Sequence, residues 1–106
     1  MRQVDNPKQF RLNISNELNK FVDNKRMSEN MEKGIFNFSI TRASSMNIVK
    51  KWNNVYFVHI YVDRFRSVLL NLRDNSELVE RIKSKTIRAH EIGFLTHQEM
   101  KPERWQ

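Results

Sequence analysis

The chain has 106 residues with 39% hydrophobic and 10% aromatic side chains, which fits one soluble domain with a modest core. It contains no cysteine, so disulfide scaffolds, thiol catalysis, zinc ribbons and iron–sulfur sites are excluded for this sequence. Its 19 lysines and arginines oppose 12 acidic residues, and the net charge of +7 favours acidic partners: nucleic acid, an anionic membrane or an acidic protein face.

The first predicted element is a helix over residues 7–26, preceded by a disordered lead-in over residues 1–6. Asn6 is a suitable N-cap, and Pro7 loses no hydrogen bond at the first helical position. Apolar side chains recur at helical spacing, at Phe10, Ile14, Leu18, Phe21 and Val22. The basic residues Lys20, Lys25 and Arg26 are then expected late in this helix, where cations interact favourably with the helix dipole.

The middle of the chain is predicted to form two further helices, over residues 28–41 and 55–73. Ser28 is the expected cap of the first of them. The second follows an i, i+4, i+7 apolar pattern, and its length without Gly or Pro favours a helix over a strand. The connection between them is expected to be a loop that contains a short helical turn between Met46 and Trp52.

Short helices are predicted for the C-terminal part of the chain, over residues 77–83 and 87–95, with a last one that begins at Thr96. Thr96 and Glu99 have the spacing of a capping box, in which each residue satisfies a backbone N–H of the other. The last helix should stop near Pro102.

These elements predict an all-α fold, a small helical bundle in a single domain over residues 7–106. The 2 glycines and 2 prolines are too few for an all-β fold or a glycine-rich phosphate loop. No apolar run is long enough to span a bilayer, and the first residues lack the apolar stretch of a signal peptide. We therefore expect no membrane partner and no secretion, and we expect a monomer because no coiled-coil seam is present.

Chemistry-bearing residues do not form a recognisable catalytic or metal-binding pattern. The histidines, His59, His90 and His97, lack the spacing of a metal site. No serine has the flanking glycines of a nucleophile elbow, and most carboxylates stand beside basic residues, which is typical of a solvated surface. The sequence therefore predicts a protein that is not an enzyme and that holds no cofactor.

Basic residues are concentrated in two stretches of the chain. Residues 33–62 contain no acidic residue, and residues 81–88 contain four basic residues and no acidic one. On the third helix, Arg66 and Arg73 share one edge of the apolar stripe, and Arg64 lies on the other edge. Arginine side chains in such positions either cover the core with their stems or contact a partner, and both interpretations stay open.

A resemblance to a known family lies in the third helix, in the string YVDRFRSVLLNLRDN. The residues that carry it are Tyr61, Arg64, Arg66, Ser67, Asn71, Leu72 and Asp74. This pattern resembles the central domain, domain II, of transcription elongation factor TFIIS. Residues 32–36 resemble the family's Glu-x-x-Ile-Phe/Tyr helix, and residues 96–100 resemble its closing T-x-x-E-M. The resemblance spans residues 31–103, and the connection around Trp52 is similar to that of relatives in large DNA viruses.

The resemblance implies a helical bundle that docks on a multisubunit RNA polymerase and performs no chemistry itself. In the family, a basic linker joins this domain to a zinc ribbon, whose acidic hairpin promotes RNA cleavage by the polymerase's own metal site. The ribbon needs four cysteines, so zinc is expected only in a part of the protein outside this sequence. The implied place of action is the nucleus, or the host cytoplasm for a viral protein.

The residues that the resemblance places at the polymerase are Arg64 and Arg66. Further candidates for this contact are Arg73, Lys83, Lys85 and Arg88. Another basic position of the family is Val68 here, and the glycine that is common near the turn at Ser84-Lys85 is absent. Two other functions stay open: a basic helical module that binds nucleic acid through the same segments, and a structural protein–protein module unrelated to transcription.

Overall fold

The fold consists of helices joined by short connections. The computed structural model describes residues 3–100 and contains four α-helices and one 3-10 helix in that range, with no strand. The helices are α1 (Pro7–Val22), α2 (Lys25–Ser45), α3 (Val55–Asp74), α4 (Ser76–Lys83) and the 3-10 helix (Ala89–Phe94). The predicted all-α bundle is confirmed. None of these helices is long and apolar enough to cross a membrane.

The junction between α1 and α2 differs from the prediction. α1 ends before the predicted Arg26 because Asp23 adopts a left-handed backbone conformation, with φ 48° and ψ 48°. Asn24 then caps α2 in place of Ser28, and its side chain accepts a hydrogen bond from the backbone N–H of Met27 at 3.0 Å. Asp and Asn tolerate left-handed and capping conformations better than most residues. Asp23 and Asn24 therefore end α1 and begin α2 within a stretch that the apolar pattern predicted to be one continuous helix.

The basic pair Lys25-Arg26 therefore begins α2 instead of ending α1. At a helix N-terminus a cation faces the positive end of the helix dipole, which costs roughly 0.3–1 kcal/mol per charge. No acidic residue in the first turn of α2 offsets this cost. The prediction that this pair interacts favourably with a helix dipole is wrong, because the helix ends where the pair begins.

The connection between α2 and α3 is shorter and less helical than predicted. α2 continues to Ser45, past the predicted end at Thr41, and the residues from Met46 to Trp52 form turns without a helical segment. Asn54 caps α3 by accepting a hydrogen bond from the backbone N–H of Tyr56 at 3.1 Å. The two asparagines before this helix, Asn53 and Asn54, are residues that favour such a cap.

α4 covers the predicted helix over residues 77–83, and the elements after it are shorter than predicted. The predicted helix over residues 87–95 is the 3-10 helix Ala89–Phe94. Thr96 and Glu99 do form both capping-box hydrogen bonds, at 2.9 and 3.1 Å. The residues after Thr96 nevertheless form a turn up to Met100, and the predicted stop near Pro102 lies outside the described residues.

One apolar core receives side chains from every helix. The largest fully buried side chains include Leu18, Met31, Ile35, Tyr61, Leu72, Ile82, Ile92 and Met100. Trp52 packs beside this core, with its ring centroid 5.1 Å from that of Tyr61. The N–H of Val4 donates to the Trp52 carbonyl at 2.9 Å, and Val4 is buried. Val4 is thus anchored on the domain, which corrects the expectation of a disordered lead-in at this residue.

The two glycines of the chain, Gly34 in α2 and Gly93 in the 3-10 helix, lie against each other. A Cβ atom on Gly34 would overlap the backbone carbonyl of His90, and one on Gly93 would overlap the backbone of Gly34. Neither glycine has a positive φ. The contact therefore requires the absence of a side chain and not the conformational freedom of glycine.

Candidate functional site

A buried charged network connects the first three helices. Arg11 in α1 donates two hydrogen bonds to the Glu32 carboxylate, at 2.8 and 2.9 Å, and Tyr61 donates a third at 2.8 Å. The Glu32 side chain is only 7% exposed. The Arg11 guanidinium also lies 3.9 Å from the ring centroid of Phe36. This bidentate geometry satisfies both carboxylate oxygens and holds the three helices in register.

Burial and the interactions with Glu32 both shift the pKa values of Tyr61 and Arg11 in this network. Burial and the neighbouring Glu32 carboxylate raise the pKa of Tyr61 far above its usual value, so the phenol stays protonated and donates. Burial alone would lower the pKa of Arg11, but its hydrogen bonds to Glu32 raise it above the usual value. All three groups are engaged with one another, and we therefore assign the network to the scaffold.

Arg64 is also engaged inside the domain. Its Nε donates to the Gly93 carbonyl at 2.7 Å, its Nη2 donates to the Leu95 carbonyl, and its guanidinium lies 4.5 Å from the ring centroid of Phe38. Burial lowers the pKa of this guanidinium. Arg64 thus ties α3 to the end of the 3-10 helix, and its predicted contact with a polymerase stays a prediction that would compete with these bonds.

Substitution of Arg64 and of Arg66 by alanine should therefore affect stability very differently. We expect Arg64→Ala to lower the free energy of unfolding by about 1.5–3 kcal/mol, because it removes hydrogen bonds from a charged donor to half-buried carbonyls. Arg66→Ala should stay within about 0.5 kcal/mol of the wild type, as surface substitutions usually do. Urea unfolding followed by circular dichroism measures both values. Equal losses would contradict the structural role of Arg64.

The other residues of the family pattern in α3 hold the C-terminal turn. The Asn71 side chain donates to the Ser67 carbonyl at 2.8 Å and lies 3.2 Å from Nδ1 of His97. Just after α3, the Asn75 side chain donates to the Met100 carbonyl at 2.8 Å. Most of the pattern in α3 therefore specifies packing of the chain on itself, and this was not evident from helical spacing.

Arg66 differs from these residues, because its side chain is exposed and points into a surface groove between α2 and α3. Within the described residues 3–100 it has no hydrogen-bond or ion-pair partner. The groove has a volume of about 690 Å³ and is also lined by Arg42 and His59. Met46 and Leu70 add apolar surface to it and are 50% and 41% exposed. We call this surface the Arg66 groove.

Asp63 also lines the Arg66 groove, but it does not pair with Arg66. Sequence reasoning missed the contributions of Arg42 and Met46. Arg42 lies in the last turn of α2 and Met46 is its C-cap, whereas the helix was predicted to stop at residue 41. The signal for them was the acid-free stretch over residues 33–62, which contains both.

The remaining predicted cations do not join the Arg66 groove. Arg73 is exposed and lies 3.4 Å from the Asp74 carboxylate, a surface pair of little energetic weight. Lys83 is exposed at the end of α4. Lys85 and Arg88 line a second groove, which also contains Arg26. The structure therefore divides the six predicted residues, with Arg64 and Arg66 at one groove and Lys85 and Arg88 at another.

Metal binding has no candidate site in the described part of the chain. Residues 3–100 contain no group of three His, Asp or Glu side chains that could hold a metal ion. The chain also has no cysteine for a zinc ribbon.

The fold and the Arg66 groove define a small basic helical domain that presents exposed arginines beside apolar side chains. The family model for the central domain of transcription factor S-II (TFIIS) matches residues 5–106, and the chain therefore belongs to the TFIIS central domain family. Searches of curated proteins and of solved structures found no significant match.

Proposed function

We propose that this chain is the RNA-polymerase-docking domain of a TFIIS-like elongation factor and is not catalytic by itself. The single observation that carries the proposal is the Arg66 groove, an exposed cationic and apolar surface on a member of the TFIIS central domain family. The partner is a multisubunit RNA polymerase, and the place of action is the site of transcription. Any transcript cleavage would be supplied by the polymerase and by a zinc ribbon outside this chain.

The composition of the Arg66 groove suits a protein partner. Arginine and methionine are enriched at protein–protein interfaces, and arginine is among the residues that most often dominate the binding energy. Arg42 and Arg66 are exposed without side-chain partners in the described part of the chain, so they are available to carboxylates. Each guanidinium can bind a carboxylate through two parallel hydrogen bonds, which fixes orientation as well as adding energy.

The charge of the whole chain supports encounter with an acidic surface. A net charge of +7 attracts an acidic partner over distances of about a Debye length, roughly 8–10 Å at physiological salt. Attraction of this kind raises the association rate more than the final affinity. The exposed apolar side chains Met46 and Leu70 would then be buried in the complex and slow its dissociation.

The test is a charge reversal confined to the Arg66 groove. We expect Arg42→Glu with Arg66→Glu to weaken capture of polymerase by the immobilised chain at least roughly tenfold, because two desolvated contacts become repulsive. The readout is the amount of polymerase subunits retained, identified by mass spectrometry. Arg64 is left unchanged because its substitution would disturb the fold.

A matched control separates the groove from net charge. Lys8→Glu with Lys51→Glu makes the same charge change at exposed positions outside the groove and should retain most of the binding. Both variants should keep the helical circular dichroism of the wild type. Binding by the groove variant as strong as that of the control would refute the proposed docking surface.

A further inference from the structure

A second groove, distinct from the Arg66 groove, collects three cations from two separate segments of the chain, α2 and the connection between α4 and the 3-10 helix. Arg26 comes from the first turn of α2, Lys85 from the turn after α4, and Arg88 from the residue before the 3-10 helix. The side chains of Asn24 and Asn30 add amide groups to its wall. The volume of this groove is about 530 Å³. We call it the Arg26 groove.

The three cations are uncompensated within the described structure. Their side chains are exposed, and none forms a hydrogen bond or ion pair with another residue of the range 3–100. No aspartate or glutamate is among the lining residues. Three unpaired positive charges around one concave surface repel one another, and the surface therefore favours a polyanion over a neutral ligand.

Two of these cations occupy positions that are unfavourable for the fold. Arg26 stands at the N-terminus of a helix, where a positive charge opposes the helix dipole. Lys85 has φ 67°, a left-handed conformation that costs free energy for any residue with a Cβ and that glycine adopts freely. Local costs of this kind concentrate at functional sites. The unfavourable dipole interaction of Arg26 and the left-handed conformation of Lys85 are independent of each other, and both residues lie in the same groove.

The lining of the Arg26 groove distinguishes its ligand from that of the Arg66 groove. Its apolar residues, among them Met27 and Ile82, are half-buried or buried and offer little surface to anchor a protein side chain. No Phe, Tyr or Trp lines it, and His90 is its single imidazole, so a row of bases could not stack along it. Cations and amides with few apolar or aromatic anchors are the groups that contact nucleic acid phosphates.

We propose that the Arg26 groove binds the phosphate backbone of nucleic acid, independently of sequence, through Arg26, Lys85 and Arg88. The site shares no residue with the Arg66 groove, and binding there does not depend on polymerase docking. A nucleic acid next to a bound polymerase could therefore be held by the same domain that contacts the enzyme.

The experiment measures fluorescence anisotropy of a labelled duplex DNA of about 20 base pairs against the wild-type chain over a series of salt concentrations. The groove variant combines Arg26→Gln, Lys85→Gly and Arg88→Gln. We expect it to bind roughly tenfold or more weakly at low salt, and its log–log salt slope to be less steep by about 2–3, since each lost phosphate contact removes about 0.9. The control variant, Lys8→Gln with Lys33→Gln and Lys51→Gln, loses the same charge at exposed positions outside both grooves and should keep the wild-type slope.

A stability measurement distinguishes this role from a structural one. Lys85→Gly and Arg26→Gln each remove an unfavourable feature of the fold, so each should raise the melting temperature while it weakens DNA binding. Three outcomes would overturn the proposal: no binding by the wild type at low salt, equal weakening in the groove and control variants, or a glutamate-rich peptide that competes as well as DNA. The last outcome would assign the groove to an acidic protein.

Discussion

Gly34→Ala should destabilise this domain by more than about 3 kcal/mol, although intrinsic helix propensity alone favours alanine by about 1 kcal/mol. The new Cβ would overlap the His90 carbonyl, which belongs to rigid backbone and cannot turn aside as a side chain would. Relief requires α2 and the 3-10 helix to separate, which would expose Ile35 and Ile92, fully buried core residues of these two elements. Since a domain of this size is stable by only about 5–15 kcal/mol, the variant should lose a large part of its stability.

The measurement is urea unfolding of Gly34→Ala beside Asn37→Ala, an exposed position of the same helix. The control should be neutral or slightly stabilising because alanine is the better helix former there. Gly93→Ala tests the same contact from the other side and should also be strongly destabilising. A Gly34→Ala variant as stable as the wild type would show that the two backbones are not in contact.

Features that depend on neighbouring residues were predictable from the sequence, and the contact between the two glycines was not. Asn6 with Pro7 and Thr96 with Glu99 form their caps within three residues, so the local pattern contains all the information. The approach of Gly34 to Gly93 is fixed only when distant parts of the chain pack together. The prediction of where α1 ends failed for a related reason. The left-handed conformation of Asp23 ends the helix but leaves the apolar periodicity on both sides unchanged.

The roles of the residues at the candidate site were also only partly predictable from the sequence. Arg64 and Arg66 have the same side chain and lie two positions apart, and the family resemblance assigned both to a partner. In the structure Arg64 reaches the end of the 3-10 helix, whereas Arg66 is exposed in a groove with the end of α2. Helical spacing places them on opposite edges of the apolar stripe, but it cannot tell which edge another element covers.

The family pattern therefore describes mainly the scaffold of this domain. Glu32 and Tyr61 belong to two separate segments of the pattern, and they are hydrogen-bonded to each other. Asn71 and Arg64 hold the C-terminal segment against α3. Residues outside the pattern, such as Arg42 and Arg26, contribute to the two exposed grooves.

Glu32→Ala should destabilise the domain by about 3–5 kcal/mol, the usual cost of removing one partner from a buried ion pair. The substitution leaves the half-buried Arg11 guanidinium without its carboxylate and leaves the buried Tyr61 hydroxyl without its acceptor. Tyr61→Phe removes a single hydrogen bond and should cost only about 1.5–3 kcal/mol. Urea unfolding at neutral pH gives both values.

A combined variant identifies the origin of that loss. Arg11→Met, Glu32→Leu and Tyr61→Phe together replace the network by apolar groups, so no charge or hydroxyl is left unpaired. Stability should then recover to within about 2 kcal/mol of the wild type, because well-packed apolar replacements of buried ion pairs are often neutral or stabilising. If the triple variant is instead as unstable as Glu32→Ala, the hydrogen bonds themselves contribute most of the stability. The unpaired charge would then not be the cause of the loss in Glu32→Ala.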